Sequence, residues 1–247
     1  MDVRRVCVVG ALAACLTASA CTSSADHPSG TSPLSSAAPS SEMNPQEVRI
    51  VGLGHVALPV PADWATNRTR CGTPQRDTVV VDQPVVETCA VPRPDGVESV
   101  TLTLGRPFGF QADEMTEVSG VPAERQETRC SKEFGPGLVC AGAVYVPSEE
   151  VSVVAESSTG PNEVDRLLAE VAVLRQRVGV PGYMTVSTRA QEESGERYQQ
   201  VLSRLGLASR VRYSHSSSWP SGFVVGVSPA PGTMIRNGST VRVTVAD

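Results

Sequence analysis

Residues 22–45 set the strongest limit on how this chain can fold. Ser, Thr, Pro, Ala and Gly make up 18 of these 24 residues, and Leu34 and Met43 are their only large apolar side chains. Too little apolar surface is present to offset the entropy of ordering the backbone, so this stretch is expected to be a disordered tether. As a flexible coil its ends would lie about 25–30 Å apart, further where prolines stiffen it. His27 lies within it and is expected to be solvated. Folding is left to residues 47–247, and a 247-residue chain has room for one or two domains.

Ahead of the tether, Arg4 and Arg5 precede an apolar run over residues 6–18. That is the n-region and h-region pattern of a secretory signal, too short for a permanent membrane span. The signal is expected to occupy residues 1–20. Ala18-Ser19-Ala20-Cys21 then places small residues directly before a cysteine. This resembles the lipobox of bacterial lipoproteins, and the resemblance implies that Cys21 is diacylated, with palmitate-like chains, after cleavage just before it. The family prefers Leu three residues before the cysteine, where this chain has Ala18; Leu12-Ala13-Ala14-Cys15 keeps the Leu but leaves a very short signal. Cys15, and an ordinary secretory cut near Ala20, remain the alternatives. Two acyl chains would hold the protein on the extracellular face of the cell membrane. Without lipid on Cys21 it would be secreted, and residues 21–46 would be a free arm instead of an anchor.

Seven cysteines are an odd number for an exported chain. Cys7 and Cys15 would leave with the signal and Cys21 would take lipid, so Cys71, Cys89, Cys130 and Cys140 remain to pair. Zinc would ask for closely spaced cysteine pairs or clustered histidines, and a thioredoxin-like site for C-x-x-C; neither is present. Disulfides need an oxidising compartment and an even count, and the signal reading supplies both. Cys130 and Cys140 flank Phe134-Gly135-Pro136-Gly137, a hairpin turn, so a bond across it is natural. Cys71–Cys89 follows by elimination, with the two other connectivities still open.

Residues 47–178 read as one α+β domain, an antiparallel sheet with a helix. Strands are expected over residues 55–60, 78–82, 97–104, 124–130, 138–146 and 151–156, with a turn at Pro61-Ala62-Asp63-Trp64. A helix is expected from Pro161 to a stop at Gly179. Val164, Leu167, Leu168, Val171, Leu174 and Val178 form its buried stripe, with acidic residues first and arginines last. The Val-Pro-Ala-Asp-Trp start, closing meander and last helix are similar to the PsbP-like fold of some exported actinobacterial proteins.

No catalytic, cofactor or metal motif stands out: G-x-S-x-G, H-E-x-x-H, a P-loop and the Rossmann glycines are all missing. His55 could serve as a general base, yet a structural or surface histidine is the commoner use. Asp63, Asp77 and Asp82 are expected to be solvated loop carboxylates. An exported hydrolase would need His55 gathered with Asp77 or Asp82, and an enzyme is not the expected reading. A formal charge of −5 and only ten aromatic side chains argue against a nucleic-acid partner.

The last segment, residues 179–247, is the most specific. Ser194 is a plausible N-cap, Tyr198, Val201, Leu202 and Leu205 form one helical stripe, and Gly206 is a stop. Strands over residues 211–213, 223–227 and 240–245 follow, the last after an Asn237-Gly238 turn. With Val180-Pro181-Gly182 in front, the order is β-α-β-β-β. Val180-Pro181, Gly206-Leu207, Gly222, Ser228-Pro229-Ala230-Pro231-Gly232, Gly238-Ser239 and the Val241/Val243/Val245 strand together resemble a PASTA domain, the small extracellular module of penicillin-binding proteins and serine/threonine kinases. About seven extra residues before Ser194, and Val227 where a polar residue is usual, depart from the pattern. The resemblance implies non-catalytic recognition of peptidoglycan fragments, muropeptides or β-lactam-like ligands, or of an envelope protein partner. It singles out no ligand-binding residue here.

Overall fold

The computed structural model describes residues 47–82, 91–132, 137–183 and 194–247; the expected signal, Cys21, the tether and Cys89 lie outside them. The chain opens with β1 (Val48–Leu53) and β2 (Val56–Pro61), an antiparallel hairpin turned at Gly54-His55. Arg49 fastens it by donating to the Trp64 carbonyl at 2.9 Å and the Thr66 hydroxyl at 2.9 Å. Next come β3 (Ala65–Thr66), a β4 (Thr69–Arg70) and β5 (Thr73–Pro74) pair, β6 (Thr78–Val81) and β7 (Glu98–Leu104). A meander of β8 (Glu114–Val118), β9 (Val121–Ser131), β10 (Val139–Val146) and β11 (Val151–Ser157) completes a seven-stranded sheet ordered β3-β6-β7-β11-β10-β9-β8.

The expected antiparallel sheet is mixed. Five strands, β7 to β11, are antiparallel as expected, but β6 runs parallel to both β3 and β7. All four residues of β6 are buried. A strand covered on both faces reads as a continuous apolar run, and such strands suit parallel pairing inside a sheet.

Helix α1 (Pro161–Ala169) lies on β9, β10 and β11 and buries Val164, Leu167 and Leu168. Gly142 on β10 permits the close approach: a Cβ there would sit 2.7 Å from Thr128 Oγ1 and 3.1 Å from Leu168 Cδ1. The helix expected to reach Gly179 stops ten residues earlier, at Ala169. Glu170 and Val171 donate to the Leu167 and Leu168 carbonyls, three residues back, which tightens and ends the last turn. Strands take over beyond it: β12 (Ala172–Val173) pairs with β2, and β13 (Arg177–Gly179), which buries Val178, follows a turn at Arg175-Gln176; Val171 is buried just before β12, and Leu174 is half-buried. Val171, Val173 and Val178 are β-branched and lose little by leaving the helix.

Helix α2 (Gly195–Arg204) meets its expected limits. Ser194 Oγ accepts from the Arg197 N–H at 3.2 Å. At the other end Gly206 takes φ +73°, Leu207 N–H reaches the Leu202 carbonyl at 2.9 Å and Gly206 N–H the Ser203 carbonyl at 3.0 Å, a Schellman closure. Then β14 (Ala208–Ser214), β15 (Val224–Ser228), β16 (Met234–Arg236) and β17 (Thr240–Ala246) follow. Central β17 pairs parallel with β14 and antiparallel with β15, and α2 covers the inner face through Tyr198 and Leu202. The Tyr198 hydroxyl donates to the Pro181 carbonyl at 2.8 Å. The first strand of this lobe is Arg177–Gly179 and not Val180-Pro181-Gly182; it pairs with β16, a strand beyond those expected from the sequence.

Two apolar cores result, one within the mixed sheet and its helix, the other under α2, with Leu205 packed against both. Backbone hydrogen bonds stitch them, Gly52 N–H to Gly232 O at 3.0 Å and Gly179 N–H to Gly54 O at 2.6 Å, while Gly232 N–H to Val180 O at 2.8 Å holds the seam segment inside the C-terminal lobe. Residues 44–247 accordingly form one unit, and the expected boundary at 178/179 falls inside β13.

Candidate functional site

Where the two cores meet, a cleft of about 630 Å³ opens. The β1–β2 turn brings Gly54 and His55, the turn after β10 brings Ser148, Glu149 and Glu150, and the end of α2 brings Val201, Arg204, Leu205 and Gly206. Asn237, from the turn before β17, closes one side. Each position has a local cause. Gly54 sits at φ +55°, which a two-residue hairpin turn demands. Pro147 starts a single 3₁₀ turn that ends with Glu150 in the left-handed region at φ 51°, and the Gly105 N–H donates to its carbonyl.

His55 is held rather than free. Its Nδ1 donates to the Arg177 carbonyl at 2.7 Å, and its own carbonyl accepts from Leu174 N–H at 2.7 Å. In the neutral ring this leaves Nε2 as an acceptor. Asn237 Nδ2 donates to the Arg175 carbonyl at 2.9 Å, which ties the β16–β17 turn to the 175–176 loop. The side chains of Arg204 and Glu149 make no hydrogen bond or ion pair among the described residues. The cleft thus offers one guanidinium, two carboxylates and an imidazole acceptor around an apolar floor of Val201 and Leu205. Such a mixture suits a polar ligand carrying charges of both signs.

The other candidates from the sequence fall elsewhere. Asp77 accepts from Glu98 N–H at 2.8 Å, beside a polar cluster in which Arg93 pairs with Glu156 and donates to Ser99 Oγ at 3.0 Å. Burial lowers the Arg93 pKa, opposed by the Glu156 and Asp77 charges. Glu98, next to Asp77, is raised by burial first and then by the Glu163 charge. Asp82, at the end of β6, is raised by burial, against which a hydrogen bond from the Leu104 backbone acts. Asp63 is exposed in its turn. The carboxylates that share the cleft with His55 are therefore Glu149 and Glu150, not Asp77 or Asp82. Nothing in the sequence marked the two glutamates beyond an ordinary turn. Only the docking of α2 against that turn makes them a site.

Cys130 and Cys140 are bonded directly across β9 and β10. Cys71 is also a disulfide cysteine, while Cys89, its expected partner, lies outside the described residues. Among the described residues no group of three or more His, Cys, Asp or Glu side chains could hold a metal, and no helix is long and apolar enough to cross a membrane.

Residues 192–247, spanning α2 and β14–β17, match the family model of the PASTA domain. The C-terminal lobe is a PASTA domain. No curated protein matches the chain. Within the PASTA lobe the Val227 departure has a packing cause: Val227 pairs with Val243 and is half-buried against the apolar core. The extra residues before Ser194 lie mostly within the undescribed stretch 184–193. Gly232, the last residue of Ser-Pro-Ala-Pro-Gly, is buried in the seam with β1, so this PASTA lobe is docked through its own signature turn.

Proposed function

We propose that this is a non-catalytic cell-envelope protein that recognises peptidoglycan fragments through its PASTA lobe, with the interlobe cleft as the ligand seat. The PASTA match over residues 192–247 carries the reading. The cleft supports it because Arg204 would pair with the carboxylates of a wall peptide, while Glu149 and Glu150 would suit its amines and Asn237 and His55 its amides and hydroxyls. Anchorage through Cys21 and display on the outer face of the membrane rest on the signal and lipobox pattern, and the tether would give reach into the wall.

Co-sedimentation of the full chain with insoluble peptidoglycan tests the proposal. The wild-type protein should pellet, and Arg204→Glu should lower its affinity about tenfold or more, as loss of a charge-assisted hydrogen bond does. Equal pelleting of the two proteins would place the ligand away from the cleft. A wild-type chain that stays in the supernatant would overturn wall binding and leave an envelope protein as the partner to seek by cross-linking.

A further inference from the structure

The PASTA lobe has a second face, turned away from α2, that the cleft does not use. Strand alternation places Val241, Val243 and Val245 of β17 in the apolar core, so Arg242 and Thr244 stand on the opposite side. The parallel register sets Arg210 of β14 beside Arg242 and Arg212 beside Thr244. On the other flank Ser228 of β15 lies beside Arg242 and Gly226 beside Thr244. All three arginines are exposed, and none of their side chains has an ion pair or hydrogen bond among the described residues. The rows Arg210-Arg242-Ser228 and Arg212-Thr244-Gly226 contain no carboxylate. Asp247, beyond the end of β17, lies 3.9 Å from His215 instead.

Two like charges directly opposite each other destabilise a sheet. Arg210 beside Arg242 is therefore a cost to the fold, in a chain whose net charge is −5. An external anion would convert that repulsion into attraction. Guanidinium forks match the paired oxygens of phosphate, and a polymer with regularly spaced phosphates could meet all three together. Neighbouring arginines are about 5 Å apart across the strands and about 7 Å apart along β14. We infer that this face is a docking surface for a linear phosphate-bearing polymer, read by charge spacing and not by base stacking.

Inorganic polyphosphate is the probe, titrated into the full chain over a series of salt concentrations. The wild-type protein should bind with an affinity that falls steeply with salt. The double substitution Arg210→Ala/Arg242→Ala should lower affinity at least about tenfold and the logarithmic salt slope by about two. Unchanged binding by the double variant would overturn the proposal. So would binding to polyglutamate or phosphatidylglycerol vesicles as tight as to polyphosphate, since those report a general anion or membrane surface. A stability readout guards against simple misfolding: Arg242→Thr should melt at or above the wild-type temperature in low salt. A lower melting temperature would remove the repulsion on which the inference stands. The probe contains no sugar or peptide, so its failure leaves peptidoglycan recognition at the cleft standing.

Discussion

Asp82 concentrates two conflicts in one residue. Its backbone lies in the left-handed region at φ 46°, and its half-buried carboxylate has its pKa pushed up by burial more than the Leu104 N–H pulls it down. A raised folded pKa means that the native state holds the proton more tightly than the unfolded chain. Its contribution is therefore fully favourable below the ordinary aspartate pKa and is lost as pH rises through the folded value. Asn tolerates the left-handed conformation well and can still accept from Leu104. Asp82→Asn should accordingly raise the melting temperature at pH 7, with the gain shrinking toward pH 3; a variant that melts lower at pH 7 would refute the burial argument. At the residue scale, surroundings built from distant segments leave no local trace in the chain. Asp82 looked like a solvated carboxylate because its neighbours in space, β7 above all, are not its neighbours in the chain. His55 followed the commoner structural use, through its bond to Arg177, but its place on the cleft rim depended on contacts with residues more than a hundred positions away.

At the scale of elements, local chemistry wrote some boundaries and not others. Helix α2 was legible at both ends because a Ser cap and a Gly-Leu closure act within five residues of the turn they serve. Helix α1 was legible only at its start. Its apolar stripe continued past Ala169, yet pairing of Ala172-Val173 with Val56-Ala57 competed for the same residues and won. The β9–β10 hairpin was visible through its turn and its flanking cysteines, which face each other in register. Their bond closes a loop with a sequence separation of 10, for which chain entropy assigns about 3 kcal/mol. Replacing both cysteines by serine should lower the unfolding free energy by roughly that amount, measured by denaturant titration. A loss well under 1 kcal/mol would mean that the hairpin is already ordered in the unfolded ensemble.

Across the whole molecule, the two cores share one backbone seam. Gly179 has Gly52 against it so closely that a Cβ would lie 2.1 Å from the Gly52 oxygen and 2.5 Å from the Leu53 nitrogen. Backbone cannot give way as a side-chain tip can, so Gly179→Ala should cost about 3 kcal/mol or more. In calorimetry the wild-type folded unit should melt in one transition. The variant should melt lower and separate into two, because the bonds between Gly179 and Gly54 and between Gly52 and Gly232 fail together. A single transition at the wild-type temperature would show that the seam is not what couples the cores.

The chain's own order determined the α+β class, the cysteine hairpin, helix α2 and the PASTA lobe, since each rests on residues close together in sequence: a cap, a turn, an alternating strand. Tertiary structure alone decided where α1 ends, that β6 pairs in parallel, that Glu149 and Arg204 share a cleft, and that Arg210 stands beside Arg242. Those features depend on which distant segments compete for one apolar surface, and local periodicity carries no record of that competition.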